Sequence, residues 1–386
     1  MKFRFFREKK TGRFPAIAAA LALGLFIGLS ISLVLFLRPA PVPPALDPDG
    51  DQLFASLEGP FISRKEIDSQ DNGANDLLHC RELIPSILPD GTKAYDLTAS
   101  AFPWQLYNTA RVNAWGYNGR VPGPLIRLKV GEKVRITVKN KLPQATTIHW
   151  HGLAVPNDED GVPGITQAPI PPGGEFTYRF TVTPQMAGTH LYHTHFNDSF
   201  QMDMGLHGVL LVDPQEPDAR AFDVEALYEM ASFKVGGSDQ ENVFTLNGKA
   251  FPEAPVLRVT QGSRVLLHLV NASGEQSHVM HLHGYTFRII ALDGNRLDRP
   301  IAANTVNLAP SQTADVVFKA DNPGKWMFHC HIVDHMINPG PQGEGDAETP
   351  ANMGGLMTLI EVVPRGKAEN GYLAAGSLYS KMSCNR

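Results

Sequence analysis

Over most of the chain, apolar and polar residues alternate with a period of two, the mark of strands with one buried face. In "PLIRLKVGEKVRITVKN", which begins at Pro124, Val134, Ile136 and Val138 alternate with polar neighbours. In "PVLRVTQGSRVLLHLVN", from Pro255, Val265, Leu267 and Leu269 do the same. Each segment holds a Gly-containing turn between two such runs and predicts a strand pair. The two align without a gap, and the likeness continues in both directions. Upstream, "YNGRVPGP" parallels "LNGKAFPEAP"; downstream, "HWHG" parallels "HLHG", "GTHLYHTH" parallels "GKWMFHCH", and "GLHGVLLV" parallels "GLMTLIEV". The second copy carries an insertion within "INPGPQGEGDAETPANMG", Ile337 to Gly354. A β-rich unit repeated once at this length predicts two homologous β-sandwich domains, at 90–215 and 220–365. A solenoid of short repeats is excluded. Residues 39–89 read as a linker and arm, and 366–386 as a tail.

The N-terminus breaks this pattern. "MKFRFFREKKTGR" is basic, and Phe14 to Leu37 carries no charge. Spanning a bilayer as a helix takes ~20 apolar residues, and a cleaved signal peptide has a shorter apolar core of ~7–15 residues. Residues 1–38 therefore predict a basic tip and an uncleaved transmembrane signal-anchor. Lys2, Arg4, Arg7, Lys9, Lys10 and Arg13 would keep the tip cytoplasmic. This implies a single-pass inner-membrane protein whose remaining domains are periplasmic or extracellular.

Composition adds little about fold, but 35 Gly and 30 Pro suit a turn-rich β protein. The net charge is −5, and the basic tip makes the rest more acidic still. That argues against nucleic-acid binding. Of the three cysteines, Cys80 and Cys384 are candidates for a disulfide in an exported domain; Cys330 has a more specific setting.

Ten of the 14 histidines fall into four clusters: His149 and His151; His193 and His195; His278, His281 and His283; His329, His331 and His335. On a strand, residues two apart face the same way, so each H-x-H is a two-imidazole claw. Four claws at matching places in a duplicated unit point to metal, whereas His79, His190, His207 and His268 read as packed or supporting histidines. Imidazole suits copper, zinc, iron and nickel. In "WMFHCHIVDH", Cys330 faces opposite to His329 and His331. A thiolate with two imidazoles, here His335 and His278, is the blue-copper electron-transfer arrangement. Cys330 would then be joined to a second metal site through its own chain neighbours. A closed structural zinc site and a cysteine nucleophile both leave most of the clustered histidines without a role.

The motifs "HWHG", "HTH", "HVMHLHG" and "HCHIVDH", in this order over roughly residues 95–363, resemble the copper-binding motifs of the multicopper oxidases, laccases among them. The resemblance implies an all-β fold of two cupredoxin-like Greek-key β-sandwich domains after the N-terminal transmembrane helix. It also implies four coppers per active unit. The type 1 copper would take His278, Cys330 and His335; the type 2 copper His149 and His281; the type 3 pair His151, His193, His195, His283, His329 and His331. Thr194 stands where a first-domain type 1 centre would have cysteine, so the chain is similar to two-domain laccases with type 1 copper in the second domain. This departs from copper nitrite reductases, whose cysteine lies in the first. Val279 stands where the family usually has Pro. Alignment of "GGLMTLIEV" puts Leu356 at the axial position, with Met353 and Met357 as alternatives. Asp160 resembles the family's acidic residue for proton delivery, or else forms a turn before Gly161.

The family's chemistry would couple one-electron oxidation of a phenolic or aromatic reductant to four-electron reduction of dioxygen to water. Metallo-oxidation of Cu(I), Mn(II) or Fe(II) is the alternative; Met202 and Met204 read either as core packing or as a soft ligand pair. Nitrite reduction and a non-catalytic copper-binding role stand further off. In two-domain relatives the first domain of one chain meets the second domain of the next, which implies a homotrimer. The loop Ile337 to Gly354 would cover the type 1 site.

Overall fold

The computed structural model describes residues 82–107, 110–215, 222–339 and 353–365. Its first domain contains β1 (Ser86–Ile87), β2 (Lys93–Tyr107), β3 (Ala110–Tyr117), β4 (Gly123–Lys129), β5 (Lys133–Asn140), β6 (His149–His151), β7 (Glu175–Thr181), β8 (Gly188–His193) and β9 (His207–Asp213), with a short helix α1 (Asp198–Gln201). Its second contains β10 (Val224–Phe233), β11 (Val243–Leu246), β12 (Leu257–Thr260), β13 (Arg264–Asn271), β14 (His278–Leu282), β15 (Phe287–Leu292), β16 (Asn295–Ala303), β17 (Thr305–Leu308), β18 (Thr313–Lys319), β19 (Gly324–Cys330) and β20 (Met357–Val363).

Pairing follows the duplication. In the first domain β1-β2-β5-β7, with β3 on β2, faces β4-β9-β8-β6. In the second β11-β10-β13-β18-β15-β16 faces β12-β20-β19-β14-β17. β2 runs parallel to β5 as β10 does to β13, and β4 runs parallel to β9 as β12 does to β20. β15, β16 and β17 are additions to the second copy. The alternation read from the sequence is visible in β5, where Val134, Ile136 and Val138 are buried between more exposed neighbours. Trp150, Tyr178 and Tyr192 fill the first core, and Tyr228, Phe287 and Phe328 the second.

β13 departs from simple alternation: all but its first residue are buried. Its outer face lies against the first domain, where β8 contacts both β13 and β18. Leu191, Val209 and Leu211 pack there on Leu227, Val270 and Ala272. His268, expected as a polar member of an alternating strand, is buried in this seam. Its Nδ1 is 2.8 Å from Asp315 and its Nε2 3.0 Å from Glu225. Thr189 of the first domain donates to Asp315 at 2.6 Å, and Arg127 donates to both carboxylate oxygens of Asp213 while reaching Glu225 at 3.3 Å. Burial alone would lower the His268 pKa, but Asp315 and Glu225 raise it to about 10. The β2–β3 ribbon reaches the second domain too: the Trp104 indole donates to Gly248 O.

The membrane expectation is corrected. Among the described residues no helix is long and apolar enough to cross a membrane; α1 has four residues, against ~20 for a bilayer span. The fold is therefore almost all-β with two cupredoxin-like domains, and the transmembrane helix, membrane attachment and inner-membrane topology are withdrawn. Residues 14–37, on which they rested, lie outside the described residues, as do Cys80 and Cys384. The homotrimer is withdrawn as well: nothing among the described residues of the chain supports it.

Candidate metal centres

β6 and β8 pair in antiparallel register with His149 opposite His193. β14 and β19 repeat this with His281 opposite His329. Opposite residues share a face, so each pairing gathers imidazoles from two strands onto one side. In the first domain the rings of His149 and His193 are 5.4 Å apart, those of His149 and His195 5.6 Å, and those of His151 and His193 5.6 Å. His193 Nε2 and His151 Nδ1 approach to 3.4 Å. They line a cavity of about 400 Å³, which Gly274 and Ser311 of the second domain also border. In the second domain His281 lies 4.8 Å from His283, 5.7 Å from His329 and 5.8 Å from His331, centroid to centroid. His283 Nε2 and His329 Nε2 converge to 3.0 Å. Among the described residues, the ring contacts of these eight histidines stay within their own set of four.

Carbonyl oxygens orient the rings. His149 donates from Nδ1 to Asp160 O (2.9 Å), His193 to Thr194 O (2.7 Å), His281 to Asn304 O (2.7 Å) and His329 to Cys330 O (2.8 Å). Fixing the proton on Nδ1 leaves Nε2 as the free donor, the usual device for aiming a metal ligand. Burial pushes His193 down to about 3 and His329 to about 4, and lowers His151 and His283 as well. These rings are neutral near pH 7, so binding a cation there displaces no proton.

A separate, fully buried site lies inside the second domain. His278, Cys330 and His335 bring their ligand atoms within 4.8 Å of one another. Cys330 Sγ is 3.5 Å from His335 Nδ1, and the two Nδ1 atoms of His278 and His335 are 3.1 Å apart. Ser273 Oγ holds the far nitrogen of His278 at 2.7 Å, and Phe244 stacks on His335 at 4.0 Å. Burial raises the Cys330 pKa and lowers those of His278 and His335, the latter to about 4. One sulfur and two neutral nitrogens in a buried pocket form a soft donor set suited to copper. Leu356 belongs to the same core as Cys330; its N–H donates to His335 O and its carbonyl accepts from Cys330 N–H, at 2.8 and 2.9 Å. Met357 stands opposite His329 and so faces the other way. Met353, the remaining alternative, is half-buried.

Sequence patterning had no means of finding the Asn304 and Ser273 supports, which come from separate loops. Nor did it show that His207 is buried against Glu229 at 3.0 Å. Asp160 closes a short 3-10 turn, Asn157–Glu159. It precedes Gly161, whose positive φ and contact with Ile148 O leave no room for a Cβ. Its carboxylate also lies 3.3 Å from His149 Nδ1.

Multicopper-oxidase family profiles match residues 100–217 and 222–338. Laccase-19 of Oryza sativa subsp. japonica is 30% identical over 293 residues, 67% of this chain and 48% of the relative. Copper resistance protein A of Pseudomonas syringae pv. tomato is 41% identical over 131 residues, 34% of this chain and 21% of the relative. The chain thus spans about half or less of the length of these curated relatives. Among solved structures, the blue copper oxidase of Nitrosomonas europaea superposes with a TM-score of 0.63 at 33% identity, covering 70% of this chain and 85% of that one. The chain belongs to the multicopper oxidase family. Its described residues hold one type 1-like group, His278, Cys330 and His335, and a three-histidine group, His149, His151 and His193, in the other domain.

Proposed function

We propose that the chain couples one-electron oxidation of a small phenolic or aromatic reductant to four-electron reduction of dioxygen to water, using four coppers. The observation that carries this reading is the position of Cys330. Its sulfur sits with His278 and His335, while its chain neighbours His329 and His331 belong to the second-domain imidazole set. Copper, when bound, supplies reversible one-electron chemistry and binds oxygen. The protein's part is to make the path between the sites short and covalent, from the Cys330 sulfur through two peptide-linked imidazoles.

In this assignment His278, Cys330 and His335 would hold the type 1 copper, with Leu356 as the residue at its side, and His149 and His281 would be the type 2 ligands. His151, His193, His195, His283, His329 and His331 would hold the type 3 pair. Asp160 passes protons toward the oxygen site, a role supported by its contact with His149. Water formation consumes four protons with the four electrons, so a carboxylate beside the first-domain set has work to do.

A second reading, oxidation of Cu(I), Mn(II) or Fe(II), draws support from the likeness to copper resistance protein A. Oxygen uptake measured side by side with a phenol, Cu(I) and Mn(II) separates the two. Uptake with the phenol alone supports the first, uptake with a metal ion alone the second, and uptake with none contradicts both.

A further inference from the structure

The backbone of the first domain contains the frame of the second domain's cysteine site. Cys330 N–H donates to Leu356 O, and Leu356 N–H donates to His335 O. In the first domain Thr194 N–H donates to Leu206 O, and Leu206 N–H donates to Gln201 O. Thr146 stands three residues before His149, as His278 stands three before His281. By strand register and hydrogen bonding, Thr146, Thr194, Gln201 and Leu206 therefore occupy the places of His278, Cys330, His335 and Leu356.

These side chains make a closed set without metal. All four residues are fully buried. The Thr146 and Thr194 hydroxyls both donate to Gln201 Oε1, at 2.9 and 2.8 Å, and lie 3.2 Å from each other. Gln201 Nε2 donates to Ala145 O at 2.8 Å. The triad ties the chain entering β6, the chain leaving β8, and α1. In the second domain a metal on His278, Cys330 and His335 would tie the matching three segments.

We propose that Thr146, Thr194 and Gln201 form a metal-free clamp that positions the first domain's imidazole pairs, His149/His151 against His193/His195, where the second domain uses a metal. Thr194 is bracketed by His193 and His195, so its anchor sets the direction of both rings. Thr146 fixes the start of the opposite strand. The clamp acts as a positioning device and touches neither substrate nor metal. It rests on the reading of these imidazoles as copper ligands.

The test uses copper-loaded full-length protein and three variants: Gln201→Leu, Thr146→Val and Thr194→Ser. Copper per chain is measured after dialysis against graded chelator, and the blue absorption of the Cys330 site serves as an internal reference in the other domain. Altered support around metal ligands typically costs 10–100-fold in metal affinity. Gln201→Leu and Thr146→Val should release copper at about 10–100-fold lower chelator with blue absorption per chain unchanged. Thr194→Ser keeps the hydroxyl and should match the parent. Parent-like retention in both Gln201→Leu and Thr146→Val overturns the proposal. So does loss of blue absorption in step with copper, which would make the triad a determinant of the whole fold. If the parent protein itself held no copper, the functional reading would fall and the clamp with it.

Discussion

Cys330 Sγ lies 3.5 Å from His335 Nδ1, inside a core closed by Phe244 and Leu356, while Cys330's own carbonyl accepts a hydrogen bond from His329. One residue thus belongs to two sites, through its side chain to one and through its backbone to the other. The strand's period of two makes this possible, because it turns adjacent side chains to opposite faces.

The axial position gives the first prediction. Leu356 offers no donor atom to a copper that His278, Cys330 and His335 would hold. Leu356→Met supplies a thioether of similar volume and should lower the reduction potential of the blue site, since the axial ligand tunes it. Redox titration of the blue absorption checks this; an unchanged potential would place the axial residue elsewhere.

Asp160→Asn tests proton delivery. The His149 ring keeps its bond to the residue 160 carbonyl, so copper content should be unchanged. Loss of a general acid typically costs about 10²-fold or more. Oxygen reduction should slow by that order, while anaerobic reduction of the blue site by substrate proceeds at the parental rate. Equal slowing of both half-reactions would show that Asp160 acts on structure.

The interdomain seam predicts a pH dependence of stability. His268 is buried between Asp315 and Glu225, beside Thr189, Arg127 and Asp213, and its pKa is raised to about 10. A group whose pKa is higher folded than unfolded gives its full stabilisation below the unfolded value, ~6.5. That stabilisation is lost as pH rises through about 10. Burial opposes ionisation of Glu225, but His268 and Arg127 together hold its pKa at about 2. Its contribution is present above the unfolded value and is lost as pH falls through about 2. The melting temperature should therefore hold between about pH 5 and 6.5 and decline steadily toward pH 10. His268→Gln should flatten the alkaline limb and cost about 3 kcal/mol, the order expected when one partner of a buried ion pair is removed. A parent protein with no alkaline decline would contradict the pairing.

The repeated strand pairs, the four H-x-H claws and the lone Cys330 between two histidines were legible because strand periodicity and metal-ligand chemistry both act locally. The seam was not. His268 looks like the polar face of an alternating strand until the first domain covers it. The Asn304 carbonyl beneath His281 was hidden for the same reason, since loop-to-strand supports follow from topology. The Thr146–Thr194–Gln201 triad was half visible: Thr194 marked the missing cysteine, but Gln201 lies seven residues on and becomes its partner only through α1. The apolar run at Phe14 to Leu37 was read as a membrane anchor on hydropathy alone, and no described helix supports it.

The most direct test removes the sulfur. Cys330→Ser should abolish the intense blue absorption and oxygen uptake with every reductant tried, while metal analysis finds the imidazole-bound copper still in place. Undiminished oxygen consumption by that variant would show that electrons do not travel through residue 330, and would contradict the account.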